Sequence, residues 1–371
     1  MRFVLAAALA LTLTIPVAAQ QRYPSSAGEL VVETVASGLE NPWGLAFLPD
    51  GRMLVTERPG RLRLVSAQGK LSPPISGVPN VVARGQGGLL DVVLDPNFAQ
   101  NRFVYLSFAE PRANGNGTSV ARARLNAGGT ALEGMSVIFR QMPTIASNMH
   151  FGSRLVFDRT GALFVTVGDR YSQRDQAQNP ANHIGKLIRI RPEGGVAEGN
   201  PKKPGWQPEI WSIGHRNVQG AALHPQTGQL WTAEHGARGG DEVNTPKAGL
   251  NYGWPVITYG IDYSGVKIGE GTAKAGMEQP LFYWDPSIAP SGAAFYTGEH
   301  WPAWKNSLFV GALAGQMLVR LSTQGEKVTG EERLLANLGE RIRDVRQGPD
   351  GFIYLLSDDG GKVLRVRPAA R

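Results

Sequence analysis

The feature that most constrains the fold is a pattern that recurs six times along the chain. Each copy has a short apolar strand, a turn rich in Asp, Pro or Gly, and a second strand that ends in polar residues. The turn residues supply the backbone angles that hairpins need, and the flanking Val, Leu, Phe and Tyr are typical of buried strands. The six copies occupy residues 44–57, 91–107, 155–169, 221–234, 293–312 and 345–357.

A third strand follows most copies, for example at 61–65, 118–124, 186–190, 316–321 and 362–366. The copies start roughly 45 to 70 residues apart, which suits propeller repeats that carry loop insertions. No long amphipathic helix competes with this pattern. We therefore predict an all-β fold, a six-bladed β-propeller that forms one domain over residues 20–371. We expect residues 30–34 to close the ring beside the C-terminal strands.

Composition narrows the chemistry that such a propeller could perform. The 371 residues include no cysteine, which excludes disulfides, thiolate metal sites, iron–sulfur clusters, cysteine nucleophiles and a covalently attached haem. The net charge is +7, but the basic residues are scattered and no nucleic-acid-binding signature is present. The charge therefore suits a small anionic ligand better than nucleic acid, which we do not expect as a partner.

Residues 1–19 have the composition of a secretory signal peptide. Arg2 provides the positive start, an apolar run follows, and Val17, Ala18 and Ala19 form a small-residue cleavage site. The alternative is an uncleaved anchor, although the run is short for a bilayer span and no later stretch approaches 18 apolar residues. We expect a periplasmic or secreted protein with no stable membrane insertion.

Of the six histidines in the chain, His150 is the first candidate for chemistry, because it stands immediately before a predicted strand. A neutral imidazole at a blade edge can act as a general base near neutral pH. The plainer interpretation is a packed, hydrogen-bonded histidine. A metal site built from three histidines of different copies also stays open, although no zinc-binding spacing occurs.

A second cluster begins at Arg216 and Asn217, which can present hydrogen-bond donors to a carboxylate or carbonyl group. An arginine that caps a turn is the alternative. The chain continues into 233–244, a glycine-broken acidic loop whose carbonyl and carboxylate oxygens are ligands that calcium accepts. The loop lacks EF-hand spacing.

A third cluster contains Arg341 and Arg343, which on a strand would share one face. Two adjacent guanidinium groups repel each other unless an anion or acid lies between them, and Asp344 would point to the opposite face. A solvated face is the alternative. Gln86 and Asp169 complete the polar residues expected at the loop edges. Signatures of a serine hydrolase, a P-loop and a dinucleotide-binding loop are all missing from the sequence.

Several ordered motifs together resemble those of the soluble, pyrroloquinoline-quinone-dependent aldose sugar dehydrogenases, which are close to the soluble glucose dehydrogenases. The resemblance covers nearly the whole chain after the signal peptide. Its most specific stretches are 86–90, 150–154, 214–217, 240–244, 251–255 and 341–344.

The resemblance implies that the propeller binds the quinone and calcium on one face and oxidises aldoses at C1 to lactones. His150 would be the general base for the C1 hydroxyl proton, with hydride transfer from C1 to C5 of the quinone. Arg216 would stabilise the charge that develops on the reacting carbonyl. Gln86 and Asp169 would lie on the substrate side, and Asp169 would orient His150.

The same resemblance implies the groups that hold the cofactors. Asn217, Arg341 and Arg343, with Arg216 and the small hydroxyl residue Ser287, would bind the quinone and its three carboxylates. The resemblance also implies two calcium sites, one at the main-chain carbonyls of Gly236 and Ala237 and a structural one at Glu242 and the carbonyl of Tyr252.

Two departures from the family pattern stand out. Met149 precedes the histidine where the glucose dehydrogenases have an Asp, so that sugar contact is lost. The fifth repeat has Ala314 and Gln316 where they have a cofactor-binding Lys, so we expect the affinity or geometry of cofactor binding to differ.

Three functions remain to be compared. The first is an aldose dehydrogenase that passes electrons to an external acceptor and works as a monomer or homodimer. The second is a non-catalytic propeller that binds a carbohydrate or a protein. The third is a calcium-dependent lactonase, which would require several carboxylates and amides converging on the metal.

Overall fold

The computed structural model describes residues 21–370, so the predicted signal peptide at 1–19 lies outside the described residues. Within 21–370 the chain is almost entirely β-structure, with one short α-helix, α1 (Phe98–Asn101), and two 3-10 turns, Arg174–Gln178 and Pro302–Trp304. No helix in this part of the chain has the length and apolar character needed to cross a membrane.

The strands of the first half are β1 (Arg22–Tyr23), β2 (Leu30–Ala36), β3 (Pro42–Phe47), β4 (Met53–Glu57), β5 (Arg61–Val65), β6 (Leu89–Leu94), β7 (Phe103–Arg112), β8 (Gly115–Leu125), β9 (Leu132–Arg140), β10 (Leu155–Phe157), β11 (Leu163–Val167) and β12 (Lys186–Ile190). Those of the second half are β13 (Ile210–Ile213), β14 (Val218–Leu223), β15 (Leu230–Glu234), β16 (Asp241–Asn244), β17 (Phe282–Trp284), β18 (Pro290–Phe295), β19 (Leu308–Ala312), β20 (Met317–Gln324), β21 (Lys327–Leu334), β22 (Ile342–Gln347), β23 (Ile353–Ser357) and β24 (Lys362–Pro368).

These strands form six antiparallel sheets, one for each predicted repeat, within the described residues. The first five sheets contain β3–β5, β6–β9, β10–β13, β14–β17 and β18–β21, in sequence order. The sixth has the order β1-β2-β24-β23-β22. The first strand of each sheet contacts the first strand of the next, and β22 returns to β3. The prediction of a six-bladed propeller is confirmed.

The ring closes through the pairing of β2 with β24, which places a strand from the start of the chain in the last blade. Val32 lies opposite Val366 and Thr34 lies opposite Leu364 in this antiparallel pair. The expected closure at 30–34 is therefore confirmed. Because the last blade needs both ends of the chain, the ring is joined by a full set of main-chain hydrogen bonds.

The hydrophobic core lies between the blades. In the cluster between the first and second blades, Leu54, Leu89 and Leu106 are almost completely buried. Hydroxyl groups add direct links between blades: Thr166 Oγ1 donates to the carbonyl of Val218 at 2.9 Å. The blades therefore stabilise one another, and the loops above them rest on a rigid support.

Strand pairing determines where those loops meet. The first strand of a blade begins at the same end at which the second strand finishes, as Val218 and Glu234 show by lying opposite each other. Loops that enter first strands and loops that leave second strands therefore gather on one face of the propeller. The motifs at 86–90, 150–154, 214–217, 240–244 and 341–344 lie in these loops or at their edges, whereas 251–255 lies in the loop between β16 and β17.

Candidate active site

A cleft of about 280 Å³ opens on this face of the propeller. It brings together four residues that the sequence singled out, from loops of the third and fourth blades: His150, Asp169, Arg216 and Ala237. The remaining lining residues are Tyr171, Ser172, Arg174, Asp175, Trp254, Asp262, Tyr263 and Ile268. Most of its walls are polar, which suits a hydrophilic ligand.

His150 is buried, with 4% of its surface exposed, and lies in the loop that enters β10. Its Nδ1 is 2.6 Å from Oδ1 of Asp169, and its main-chain N–H donates to Oε1 of Gln86 at 2.8 Å. Since the carboxylate accepts the Nδ1 proton, the Nε2 lone pair is left as the basic site of the ring. This arrangement is suited to accepting a proton from a bound hydroxyl group.

Burial and two nearby positive charges favour the neutral form of the His150 ring. Burial lowers the pKa of His150 below its usual value of 6.5, the contact with Asp169 opposes this shift, and the positive charges of Arg216 and Arg170 add to it. The net direction is downward. A neutral imidazole at neutral pH can act as a base.

Asp169 is fixed on both of its oxygens. Oδ1 also accepts the main-chain N–H of Tyr171 at 2.8 Å, and Oδ2 accepts Nε1–H of Trp254 at 2.8 Å. The carboxylate is 1% exposed. A carboxylate held in this way sets both the tautomer and the orientation of the histidine ring.

Arg216 and Asn217 lie together in the loop that enters β14. The guanidinium of Arg216 donates to the carbonyl of His235 at 3.2 Å and lies 5.3 Å from the centre of the Trp254 ring. Asn217 Oδ1 accepts the main-chain N–H of Gly152, whereas its buried Nδ2 has no hydrogen-bond partner in the part of the chain that the structure describes. The loop therefore presents a cation and an unpaired donor next to the cleft.

The two predicted arginines occupy different environments. Arg341 precedes β22, is partly exposed, and lies 3.3 Å from Asp359. Arg343 is inside the strand, where it pairs with Asp358 at 3.0 Å and donates to Gln219 at 2.7 Å. The pairing of β22 with β23 is irregular at this point, because its register shifts between Ile342 and Asp344. The arginines therefore do not form a regular strand face, and a separate acid accompanies each one.

The 236–240 loop connects β15 to β16 and is held in a tight turn. Asp241 Oδ1 accepts the main-chain N–H of Gly236 at 2.8 Å, and Ser287 Oγ accepts that of Gly239 at 3.0 Å. Ser287 Oγ also lies 3.4 Å from the carbonyl of Ala237. A side chain at Gly236 would collide with Gly240, so this close approach requires glycine.

The predicted acidic loop at 233–244 is only partly a loop, because Asp241–Asn244 forms β16, the third strand of the fourth blade. In this strand Glu242 lies opposite Glu234 of β15. Burial, followed by the negative charge of Glu234, raises the pKa of Glu242 to about 8. Two carboxylates this close favour either a shared proton or a cation.

Tyr252 lies in the loop that follows β16, and its ring stacks on that of His215 with the centres 5.1 Å apart. In residues 21–370 no group of three or more His, Asp or Glu side chains is arranged to hold a metal ion. The three-histidine metal site considered from the sequence is therefore wrong for this part of the chain. A calcium site here would depend on main-chain carbonyls.

The fifth repeat contributes no cation where the related glucose dehydrogenases have a lysine. Ala314 donates its main-chain N–H to the carbonyl of Ile288 at 3.1 Å. Arg341 reaches this segment, because its Nη1 donates to the carbonyl of Leu313 at 3.3 Å. A positive charge therefore reaches this turn from the sixth blade.

Sequence reasoning missed several residues of the site. Tyr171 and Tyr263, 48% and 60% exposed, line the mouth of the cleft, and Trp254 lies behind Asp169. His235 was not singled out from the sequence, yet its buried Nε2 has no hydrogen-bond partner among the described residues. The signal that could have identified residues 254–268 is the length of the segment between β16 and β17, since long loops within a compact domain are often functional.

A family model described as Glucose / Sorbosone dehydrogenase matches residues 39–365 of the chain. The aldose sugar dehydrogenase of Escherichia coli is 49% identical over 344 residues, which cover 91% of this chain and 92% of that protein. The crystal structure of the apo form of the soluble Escherichia coli aldose sugar dehydrogenase matches with a TM-score of 0.89 and 48% identity, and covers 92% of this chain and 100% of that one.

A more distant solved structure also matches over almost its full length. It is the PQQ-bound form of the aldose sugar dehydrogenase from Streptomyces coelicolor, with a TM-score of 0.78 and 29% identity. The match covers 91% of this chain and 98% of that one. The similarity therefore extends through all six blades.

Proposed function

This chain belongs to the glucose/sorbosone dehydrogenase family, and from that premise we propose that it oxidises aldose sugars at C1 to lactones with pyrroloquinoline quinone as cofactor. The observation that carries the proposal is the buried pair of His150 and Asp169 in a polar cleft that Arg216 also lines. A neutral base next to a cation is the arrangement that removal of a hydroxyl proton requires.

The residues around the cleft fit a quinone that carries carboxylates. Three buried polar atoms of this region have no hydrogen-bond partner within residues 21–370, and they belong to Asn217 (Nδ2), His235 (Nε2) and Arg343 (Nε). Unpaired buried polar atoms are costly, so they favour a bound polar ligand. We propose that Arg216, Asn217, Ser287, Arg341 and Arg343 hold the cofactor.

The 236–240 loop fits calcium, with main-chain carbonyls rather than side chains as its protein ligands. We propose that Gly236 and Ala237 provide these carbonyls. A second, structural calcium would bind Glu242 and the carbonyl of Tyr252; Glu242 lies opposite Glu234, and within residues 21–370 no cationic side chain pairs with it. Calcium at the first site would act as a Lewis acid.

Pyrroloquinoline quinone supplies the two-electron oxidising chemistry when it is bound. The protein supplies the proton chemistry: Nε2 of His150 takes the proton of the sugar's C1 hydroxyl, while Asp169 keeps the opposite face of the ring in place. Arg216 offers a guanidinium to the negative charge that develops in the cleft, where burial strengthens its effect.

We propose that Gln86 and Asp169 form the substrate side. Asp169 lines the cleft, with Tyr171 and Tyr263 at its mouth, and Gln86 lies behind the lining, against the main chain of His150. Gln86 supports His150 through the main-chain N–H, so it connects the sugar position to the base. An aldose is polar enough to suit the mostly polar walls.

Electrons must leave the site for an external acceptor. The chain has no cysteine for an attached haem, so a separate carrier or dye would reoxidise the cofactor. We propose that the enzyme is exported to the periplasm or the exterior and that it meets its acceptor there.

The two alternative functions fit the site less well. A binding protein does not require a buried histidine that a carboxylate orients so that its second ring nitrogen is free to act as a base. A calcium lactonase would require carboxylates and amides to converge on the metal, but residues 21–370 contain no group of three acidic or histidine side chains arranged in this way. The dehydrogenase accounts for both observations.

The decisive experiment is a titration of the purified protein with pyrroloquinoline quinone, with and without calcium, in which dye reduction is followed against a panel of aldoses. We expect saturable activity that depends on both additions. Absence of activity together with absence of a spectral change on adding the quinone would contradict the proposal and favour a binding protein.

A further inference from the structure

Arg170, which directly follows Asp169, is a fully buried cation with no salt bridge among residues 21–370. Its guanidinium lies 3.9 Å from the centre of the Phe151 ring. Other buried arginines of this propeller, such as Arg154 and Arg343, are paired with acids. An unpaired buried charge is costly, and therefore needs an explanation.

Apart from side-chain contacts with Asn116 and Gln141, the hydrogen bonds that Arg170 donates hold the segment that carries the base. Nε donates to the carbonyl of Met149 at 3.0 Å, and Nη2 donates to the carbonyl of Ser147. The main-chain N–H of Arg170 donates to the carbonyl of His150 at 3.3 Å. In return, Ser147 Oγ donates to the carbonyl of Arg170 at 2.8 Å.

This segment requires such support because its backbone is unfavourable. His150 has a φ of 52°, and Arg170 and Tyr171 have φ values of 57° and 62°. Left-handed backbone is unfavourable for a residue with a Cβ, so it persists only where surrounding contacts fix it. Because three such residues surround one catalytic pair, the hydrogen bonds from Arg170 to the 147–150 main chain are needed to hold the segment in place. We call these hydrogen bonds the Arg170 clamp.

We propose that Arg170 is a positioning residue for the general base, which holds the main chain from Ser147 to His150 and uses its unpaired positive charge to keep the imidazole neutral. The inference rests on the proposed function. It assigns a role to Arg170 beside the orienting role of Asp169. Asp169 orients the ring, and Arg170 opposes protonation of that ring. Arg170 itself is outside the lining of the cleft.

The charged and titratable groups around His150 allow the effect of Arg170 to be separated. Asp169 favours the protonated ring, whereas Arg170 and Arg216 oppose it. Tyr171 packs edge-on against the ring at 5.3 Å, and His235, whose own pKa is lowered well below the usual value chiefly by burial, is a further neighbour. Loss of the Arg170 charge leaves Asp169 less opposed, so the pKa of His150 should rise.

Arg102 offers a matched control in the second blade. It also has a φ of 57°, donates to two main-chain carbonyls, those of Leu125 and Asn126, and lies 5.5 Å from the ring of Phe98. It is outside the catalytic and binding machinery described above. Arg102→Met therefore removes an arginine clamp of the same kind without changing the surroundings of His150.

A second variant changes the charge without removing the clamp. Asn116 Oδ1 accepts Nη2–H of Arg170 at 2.6 Å, so Asn116→Asp would place a carboxylate against the guanidinium. The hydrogen bonds of Arg170 to the 147–149 carbonyls can remain. This variant keeps the test decisive even if Arg170→Met does not fold.

The experiment is an NMR titration of the His150 ring in the cofactor-free protein, so its readout does not depend on activity. We expect Arg170→Met and Asn116→Asp to raise the midpoint by at least about half a pH unit relative to Arg102→Met. Arg170→Lys, which keeps the charge, should titrate close to the wild type. An unchanged midpoint in Asn116→Asp or Arg170→Met would overturn the inference.

Steady-state kinetics with the quinone and calcium complete the test. We expect Arg170→Met and Arg170→Lys to lower kcat about tenfold or more, with a smaller change in KM, because both lose the full clamp. Equal kcat in Arg170→Met and Arg102→Met would show that the clamp is not needed. A wild type that is inactive under these conditions would instead contradict the proposed dehydrogenase, independently of the titration.

Discussion

Nδ1 of His150 lies 2.6 Å from Oδ1 of Asp169, although the two residues are 19 positions apart. His150 lies in the loop before a β-hairpin, and Asp169 in the loop after it. The hairpin of β10 and β11 returns the chain to the same face and so brings the two side chains together. The contact determines the tautomer of the imidazole and leaves Nε2 as the base. Two of the predictions below depend on this pair.

Replacement of the base should separate binding from turnover. We expect His150→Gln to bind pyrroloquinoline quinone with nearly unchanged affinity but to lose about 10²- to 10⁴-fold in kcat, because the amide cannot accept the C1 hydroxyl proton. Stopped-flow reduction of the bound cofactor by an aldose would measure the loss. A fully active variant would show that the base is elsewhere.

Loss of the orienting carboxylate should change both rate and pH dependence. The wild-type kcat/KM should fall as the pH drops through the lowered pKa of His150, because the ring must be neutral to act. Asp169 raises this pKa, so Asp169→Asn should move the acidic limb to lower pH while kcat falls on the order of a hundredfold. A limb that moves to higher pH would contradict the assignment of Asp169.

The two arginines should respond differently to truncation. Arg341 is partly exposed, so Arg341→Ala should weaken quinone binding with little effect on the melting temperature or on sugar preference. Arg343→Ala should destabilise the fold by about 3–5 kcal/mol, because it leaves buried Asp358 without its partner. Isothermal titration and thermal unfolding measure the two effects. A change in sugar preference in Arg341→Ala would assign that arginine to the substrate.

Removal of calcium should lower stability as well as activity. Glu234 and Glu242 lie opposite each other on β15 and β16 with no cationic side chain paired to Glu242 among the described residues. We expect a chelator to reduce the melting temperature of the wild type and calcium to restore it. Glu242→Gln, which removes one carboxylate, should respond less to either addition. An identical response in the two proteins would place the structural calcium elsewhere.

Much of the fold could be predicted because local rules govern it. The predicted strands at 61–65 and 186–190 coincide with β5 and β12, and the closing strand was found from its apolar pattern. Hairpin turns and strand residues act over a few neighbours, so the sequence carries this information directly. The strand at Asp241–Asn244 was missed because its composition is acidic, and strand pairing in the blade outweighed that local preference.

The site was less accessible to sequence reasoning. The expected face shared by Arg341 and Arg343 assumed a regular strand, but the strand begins between them and its register shifts. Nothing local indicates that Trp254 donates to Asp169, 85 positions earlier, or that the two arginines have separate acid partners. Contacts of this range follow from how the blades close, not from spacing.

By itself, the sequence determined the number of blades, the strands that form them and the identity of the side chains available for chemistry. These depend on periodicity and turn residues, which are local properties. Only the tertiary structure decided which of those side chains meet, because the ring brings loops from separate blades to one face. It also decided their protonation, since burial and the neighbouring charges of Asp169, Arg170 and Arg216 act on His150 only after the propeller has closed.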